Sequence, residues 1–115
     1  MKPQRLLDIA TGIALGRLNH KQTFRHGAAG FRSDGVIVAS FNGSPSEPEW
    51  AHHAESRLCR KMTPNSIVAV IRILADGSWA SSRPCASCER CMARIGIKKC
   101  YYSIAPNEFG VMILN

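Results

Sequence analysis

The 115-residue sequence has no uninterrupted run of about 18 apolar residues, which excludes a membrane-spanning helix. It has no internal repeat, low-complexity tract or linker, so nothing marks a point at which to divide it. A single domain over residues 1–115 is expected, because a chain of this length supports one core rather than two. The opening stretch MKPQRLLDIATGIALGRLNH mixes charges into its apolar pattern and lacks a long apolar h-region. It does not read as a secretory signal. Aromatic residues are scarce, at 7%, and no basic-aromatic loop stands out as a stacking platform for single strands. Acidic residues are also few: 8 Asp and Glu stand against 15 Lys and Arg, for a net charge of +7. That excess favours anionic partners such as phosphates, nucleotides or nucleic acid, although the cations are scattered rather than massed in one tract.

What is present is the composition of a folded domain, 45% hydrophobic and 20% charged. Five cysteines, an odd number, fit a disulfide framework poorly. With no secretory signal the expected compartment is the reducing cytoplasm, where clustered cysteines are more often metal ligands or catalytic groups.

Residues Pro3 to Asn19 carry Leu6, Ile9, Ala10, Ile13, Ala14 and Leu18 at helical spacing, with Pro3 suited to a first turn. Gly12 and Gly16 interrupt this pattern and would allow close packing on a sheet. Asp34-Gly35 between two apolar runs predicts a hairpin, and Val36 to Phe41 is apolar enough for a central strand. Phe24, Arg25 and His26 read as a loop that could rim a pocket. After the loop GSPSEPE, residues His52 to Met62 read as a helix ended by Thr63-Pro64. Ser66 to Leu74 is the clearest strand, being rich in β-branched residues. A further helix is expected from near Pro84 to Ile95 with Gly96 as its stop. A strand over Lys99–Ile104, a loop over Ala105–Gly110 and a final strand over Val111–Leu114 complete the chain. The last connection is too short for a parallel crossover, so the final strand should run antiparallel to its predecessor. This alternation predicts a mixed five-stranded α/β sheet covered by helices.

Two short motifs carry chemistry. His53-Ala54-Glu55 is an H-x-E, and Pro84-Cys85-Ala86-Ser87-Cys88 is a P-C-x-x-C; each falls at a predicted helix start after a strand and loop. Alone, H-x-E is common by chance, and C-x-x-C also serves redox and structural zinc sites. Together, in this order, they form the signature of zinc-dependent nucleobase deaminases. Imidazole and thiolate suit Zn2+, and His53, Cys85 and Cys88 leave one tetrahedral position open for water, as a catalytic site requires. The helix dipole and the unpaired N–H groups of a first turn help keep thiols there deprotonated. Zinc can lower the pKa of its water from 15.7 to about 7. Glu55, beside the metal but not on it, is placed to move protons. Cys91, one turn beyond Cys88, would close the site if it were a fourth ligand; its displacement along the helix favours a core role. Cys59 and Cys100 fit buried core positions.

On these residues the chain resembles the cytidine and deoxycytidylate deaminase superfamily. The likeness runs from VIVASFNG through HAE and PCASC to GIKKCYYS. It implies a three-layer cytidine-deaminase-like fold, a zinc cofactor and hydrolytic deamination of cytosine to uracil. It also implies a sugar contact from Asn42 of the F-N-G segment. The backbone N–H groups of Ala54 and Cys85 would hold the base carbonyl. A homodimer or homotetramer is implied as well. Two departures stand out. Arg83 occupies a position where the family often has Ser, Thr or Glu, and it could set a cation near a phosphate. The chain is also shorter than deoxycytidylate- or tRNA-acting relatives and lacks their terminal helices. Trp50 and Trp79 flank the two motifs, and each suits either stacking on the base or core packing.

The expected substrate is a free nucleoside or nucleotide, with the charge and Arg83 tilting toward a phosphorylated one such as deoxycytidylate. A deaminase acting on cytosine or adenine in single-stranded DNA or RNA is the rival reading, favoured by charge and opposed by the low aromatic content. A non-catalytic, zinc-stabilised nucleic-acid-binding module is the third, and it needs Cys91 on the metal or Glu55 turned away.

Overall fold

A computed structural model of the protein describes residues 2–16, 25–41 and 58–114. Helix α1 (Pro3–Leu15) opens the chain. Strands β1 (Arg25–Phe31) and β2 (Ile37–Phe41) form a hairpin. Leu58 and Cys59 are helical. There follow β3 (Ile67–Ile73), the two-residue strand β4 (Trp79–Ala80), helix α2 (Ala86–Ile95), β5 (Lys99–Ala105) and β6 (Glu108–Ile113).

The strands form one mixed six-stranded sheet in the order β2-β1-β3-β5-β6, with β4 paired to β3. Among the described residues only β3 and β5 are parallel; β6 runs antiparallel to β5, as its short connection requires. The Asp34-Gly35 hairpin forms, and Gly35 takes the positive φ (90°) that its turn demands. Gly96 ends α2 at φ 97°, and the N–H of Ile97 returns to the carbonyl of Met92 at 3.1 Å, closing the helix end.

Each face of the sheet carries a core. On one, α1 lays Leu6, Leu7, Ala10 and Ala14 against Ala29, Ala69, Ile71 and Ile73. On the other, Leu58, Cys59, Met62 and Met92 cover Ala28, Val68, Val70, Cys100 and Met112. Fully burying a side chain such as Leu6 or Leu7 contributes about 1.5–3 kcal/mol.

The structure corrects several expectations. The sheet has six strands rather than five, because two residues are too few to show a period in sequence and β4 exists only through its pairing with Arg72 and Ile73. Val36–Phe41 is an edge strand rather than a central one, with Ile37 exposed. Arg25 and His26 belong to β1 and pair with Ile73 and Arg72, so they are strand and not loop. The last strand starts at Glu108, since a two-residue turn at Pro106-Asn107 replaces the longer loop. α1 ends at Leu15. Its Gly12 meets nothing nearby, and the close helix–sheet approach is made by Gly27 instead.

Candidate active site

Parallel pairing of β3 with β5 stops at Val70 and Tyr102, and β4 takes over as the partner of β3 from Arg72. The two parallel strands part there, toward their carboxyl ends, the usual ligand side of open α/β sheets. The segment that leads to the cysteines is anchored between them. Ser82, almost fully buried, donates from its hydroxyl to the Val70 carbonyl (2.9 Å) and accepts from the Ser103 N–H (2.8 Å), while its own N–H donates to the Ser103 carbonyl (2.9 Å). The Ser103 hydroxyl lies 2.6 Å from the Ala80 carbonyl and 2.8 Å from Ser82 Oγ, and it accepts from the Arg72 N–H at 3.2 Å. Buried polar groups satisfied this way hold a segment firmly, because removing one partner leaves another unpaired.

From this anchor the chain passes through exposed Arg83 and buried Pro84 into α2. Cys85 is the N-cap, with extended backbone (φ −70°, ψ 167°), and its carbonyl accepts the first helical bond from the N–H of Glu89 at 2.9 Å. The expected helix start at Pro84 is therefore shifted into the cysteine motif. Cys85 is exposed, with Sγ 3.2 Å from Ser87 Oγ; Cys88, one turn on, is fully buried. Among the described residues no disulfide forms. The pair could hold a metal: two soft thiol donors, one turn apart at the positive end of a helix. Cys91 is half-buried and packs against the helix-side core, where Cys59 and Cys100 also lie.

His53, Ala54, Glu55 and Asn42 lie outside the described residues, as do His52 and Trp50. Among the described residues no group of three or more metal-binding side chains gathers. Asn42 directly follows the end of β2 at Phe41, which pairs with Gly27, itself paired with Ile71 on β3.

Trp79 packs with the α1-side core, and its indole N–H donates to Thr11 Oγ1 at 3.1 Å. It thus joins the core on the face opposite α2, which is the packing alternative. Arg83 leans on Tyr102: Nη1 donates to the Tyr102 hydroxyl at 2.8 Å, and the guanidinium carbon stands 5.4 Å from the ring centroid. Tyr102 in turn lies across Gly110 of β6, where an added Cβ would stand 2.7 Å from its Cζ and hydroxyl oxygen. Sequence reading did not find Ser82, Ser103 or Tyr102. Single serines and a strand tyrosine carry no spacing signal, and the GIKKCYYS likeness ran through Tyr102 and Ser103 without giving either a role.

The mixed sheet with a helix-covered core on each face has the cytidine-deaminase-like fold. Among solved structures, cytidine deaminase from Burkholderia pseudomallei superposes with a TM-score of 0.70 at 18% identity, over 99% of this chain and 94% of that one. The Mycobacterium leprae enzyme gives 0.65 at 22% identity, again over 99% and 94%. The enzyme from Mycobacterium tuberculosis gives 0.59 at 19%, over 91% and 90%. No protein-family model and no curated protein matches the sequence. Among the described residues no helix is long and apolar enough to cross a membrane.

Proposed function

We propose that the protein is a zinc-dependent hydrolase that converts cytosine to uracil in a free nucleoside or nucleotide, with water consumed and ammonia released. The observation that carries this reading is the anchored Pro84–Cys88 segment, which presents one exposed and one buried cysteine at the start of α2, in a chain that shares its fold with cytidine deaminases.

His53, Cys85 and Cys88 would hold the zinc, which supplies Lewis acidity and an activated water at neutral pH. Glu55 accepts one proton of the attacking water and delivers it to the ring nitrogen, then takes the second from the hydroxyl added to the ring carbon and passes it to the amine, so that ammonia leaves as the carbonyl forms. Asn42 holds the sugar, and the backbone N–H groups of Ala54 and Cys85 hold the base carbonyl. Ser82 and Ser103 keep Cys85 in register with the sheet. The reading includes a single domain that assembles as a homodimer or homotetramer.

Zinc-loaded protein incubated with cytidine, deoxycytidine and deoxycytidylate should release ammonia and form the uracil product from at least one. No turnover on any of the three removes the reading. Glu55→Gln separates enzyme from structural module: an enzyme keeps its zinc and loses turnover by a factor of about 10² or more, whereas a structural module changes little. The net charge of +7 supports one rival, a deaminase acting on single-stranded nucleic acid. Salt-sensitive binding of oligonucleotides, with uracil or inosine in the product, would favour that rival.

A further inference from the structure

We propose that Arg83, braced by Tyr102 against Gly110, is a preorganised clamp for a nucleotide phosphate, and that the site therefore selects phosphorylated substrate over the neutral nucleoside. This rests on the deaminase reading for its base, but not for its phosphate. Three observations carry it. Arg83 is exposed, two residues before Cys85. Its position is fixed by the bond to the Tyr102 hydroxyl and by the neighbouring ring, whose centroid stands 5.4 Å from the guanidinium carbon. The ring is itself seated by Gly110, whose missing side chain is the space the tyrosine tip occupies.

That arrangement uses one edge of the guanidinium. Its other N–H groups hydrogen-bond to no described residue, and no carboxylate among the described residues pairs with it. A guanidinium held beside an aromatic ring, with a fork of donors still to satisfy, suits bidentate recognition of phosphate. Because the side chain is already ordered, less entropy is lost on binding than for a loose surface arginine.

Equilibrium titration of the zinc-loaded protein tests the clamp. The probes are deoxycytidine, deoxycytidylate, deoxyribose 5-phosphate and a short oligodeoxycytidine. Wild type should bind deoxycytidylate about tenfold to a hundredfold more tightly than deoxycytidine, the range of charge-assisted hydrogen bonds. Arg83→Gln should bring that ratio close to one. Gly110→Ala should lower it as well, by displacing the Tyr102 ring, and Tyr102→Phe should lower it part of the way. If Gly110→Ala does not fold, Arg83→Gln decides alone.

A wild-type ratio near one, or a ratio that Arg83→Gln leaves unaltered, overturns the proposal. Arg83 dependence confined to the oligonucleotide upholds phosphate recognition and assigns the phosphate to a polynucleotide backbone. If neither cytosine compound binds, yet deoxyribose 5-phosphate binds in an Arg83-dependent way, the clamp stands and the deaminase reading falls.

Discussion

The two faces of the sheet are packed in different ways. On the α1 face the core is Leu, Ile and Ala, with Ala10, Ala14, Ala29 and Ala69 at the contact. Small residues let the helix backbone descend onto the strands, and Gly27 lies directly beneath it. On the α2 face five of the ten core residues contain sulfur: Cys59, Met62, Met92, Cys100 and Met112. Unbranched, polarizable side chains fill irregular space and adapt when it changes. So the face away from the cysteine motif is held by backbone proximity, while the face beneath it is filled by side chains that can shift. This packing predicts a face that resists added volume beneath α1 and one that yields on the side of the cysteine motif.

Two glycines on β1 test this contrast directly, because they face opposite ways. A Cβ on Gly27 would run into the Ala10 carbonyl oxygen and stand 2.7 Å from the Ala14 nitrogen, both backbone atoms. Nothing there can move without lifting α1. Gly27→Ala should therefore give the largest loss, about 3 kcal/mol on the scale of overpacking, read as a lower urea midpoint with an unchanged slope.

The seam between the faces comes next. Ser103→Ala removes a hydroxyl that serves Ala80, Ser82 and the Arg72 N–H. Leaving buried groups unpaired should cost about 2 kcal/mol. It should also reduce turnover, since the segment carrying Cys85 loses its anchor. A loss of stability with full retention of turnover would separate the seam from the site.

Gly30 supplies the other arm of the comparison. A Cβ there meets the Sδ and Cε atoms of Met62, the far end of a flexible side chain. Gly30→Ala should cost no more than about 1 kcal/mol. Equal losses for Gly27→Ala and Gly30→Ala in the same denaturation series would end the distinction between a rigid and a compliant face.

Much of this architecture could be read from the chain. β3 announced itself through Ile67, Val68, Val70 and Ile71, and α2 through its stop at Gly96. The cysteine pair was legible as a candidate because its spacing is one that metal chemistry uses. What could not be read depends on partners distant in sequence. β1, Arg-His-Gly-Ala-Ala-Gly-Phe, has little intrinsic β-propensity; it is a strand because β2 and β3 flank it on both sides. Trp79 could stack or pack, and a bond to Thr11, 68 residues away, decides for packing. The Arg83–Tyr102–Gly110 arrangement joins a loop to two strands through their register. No local pattern encodes that.

The smallest effect concerns how β4 is delivered to the stiff face. The Asp76 carboxylate accepts from the Ser78 hydroxyl (2.6 Å) and the Ser78 N–H (2.9 Å), shaping the turn just before Trp79. These bonds, the hydroxyl foremost, hold its pKa below the ordinary carboxylate value. Asp34 is lowered in the same way, chiefly by the Val36 N–H. A folded-state pKa that is depressed makes the contribution present above the unfolded value, about 3.9, and lost as pH falls through the lower folded one. Asp76→Ala should therefore destabilise slightly near neutral pH, and the gap to wild type should close as pH drops below about 4. Thermal melts across that window read it out. A gap that persists at the acid end would mean the turn acts through its shape and not its charge, and that the seating of Trp79 on α1 does not depend on the ionised carboxylate.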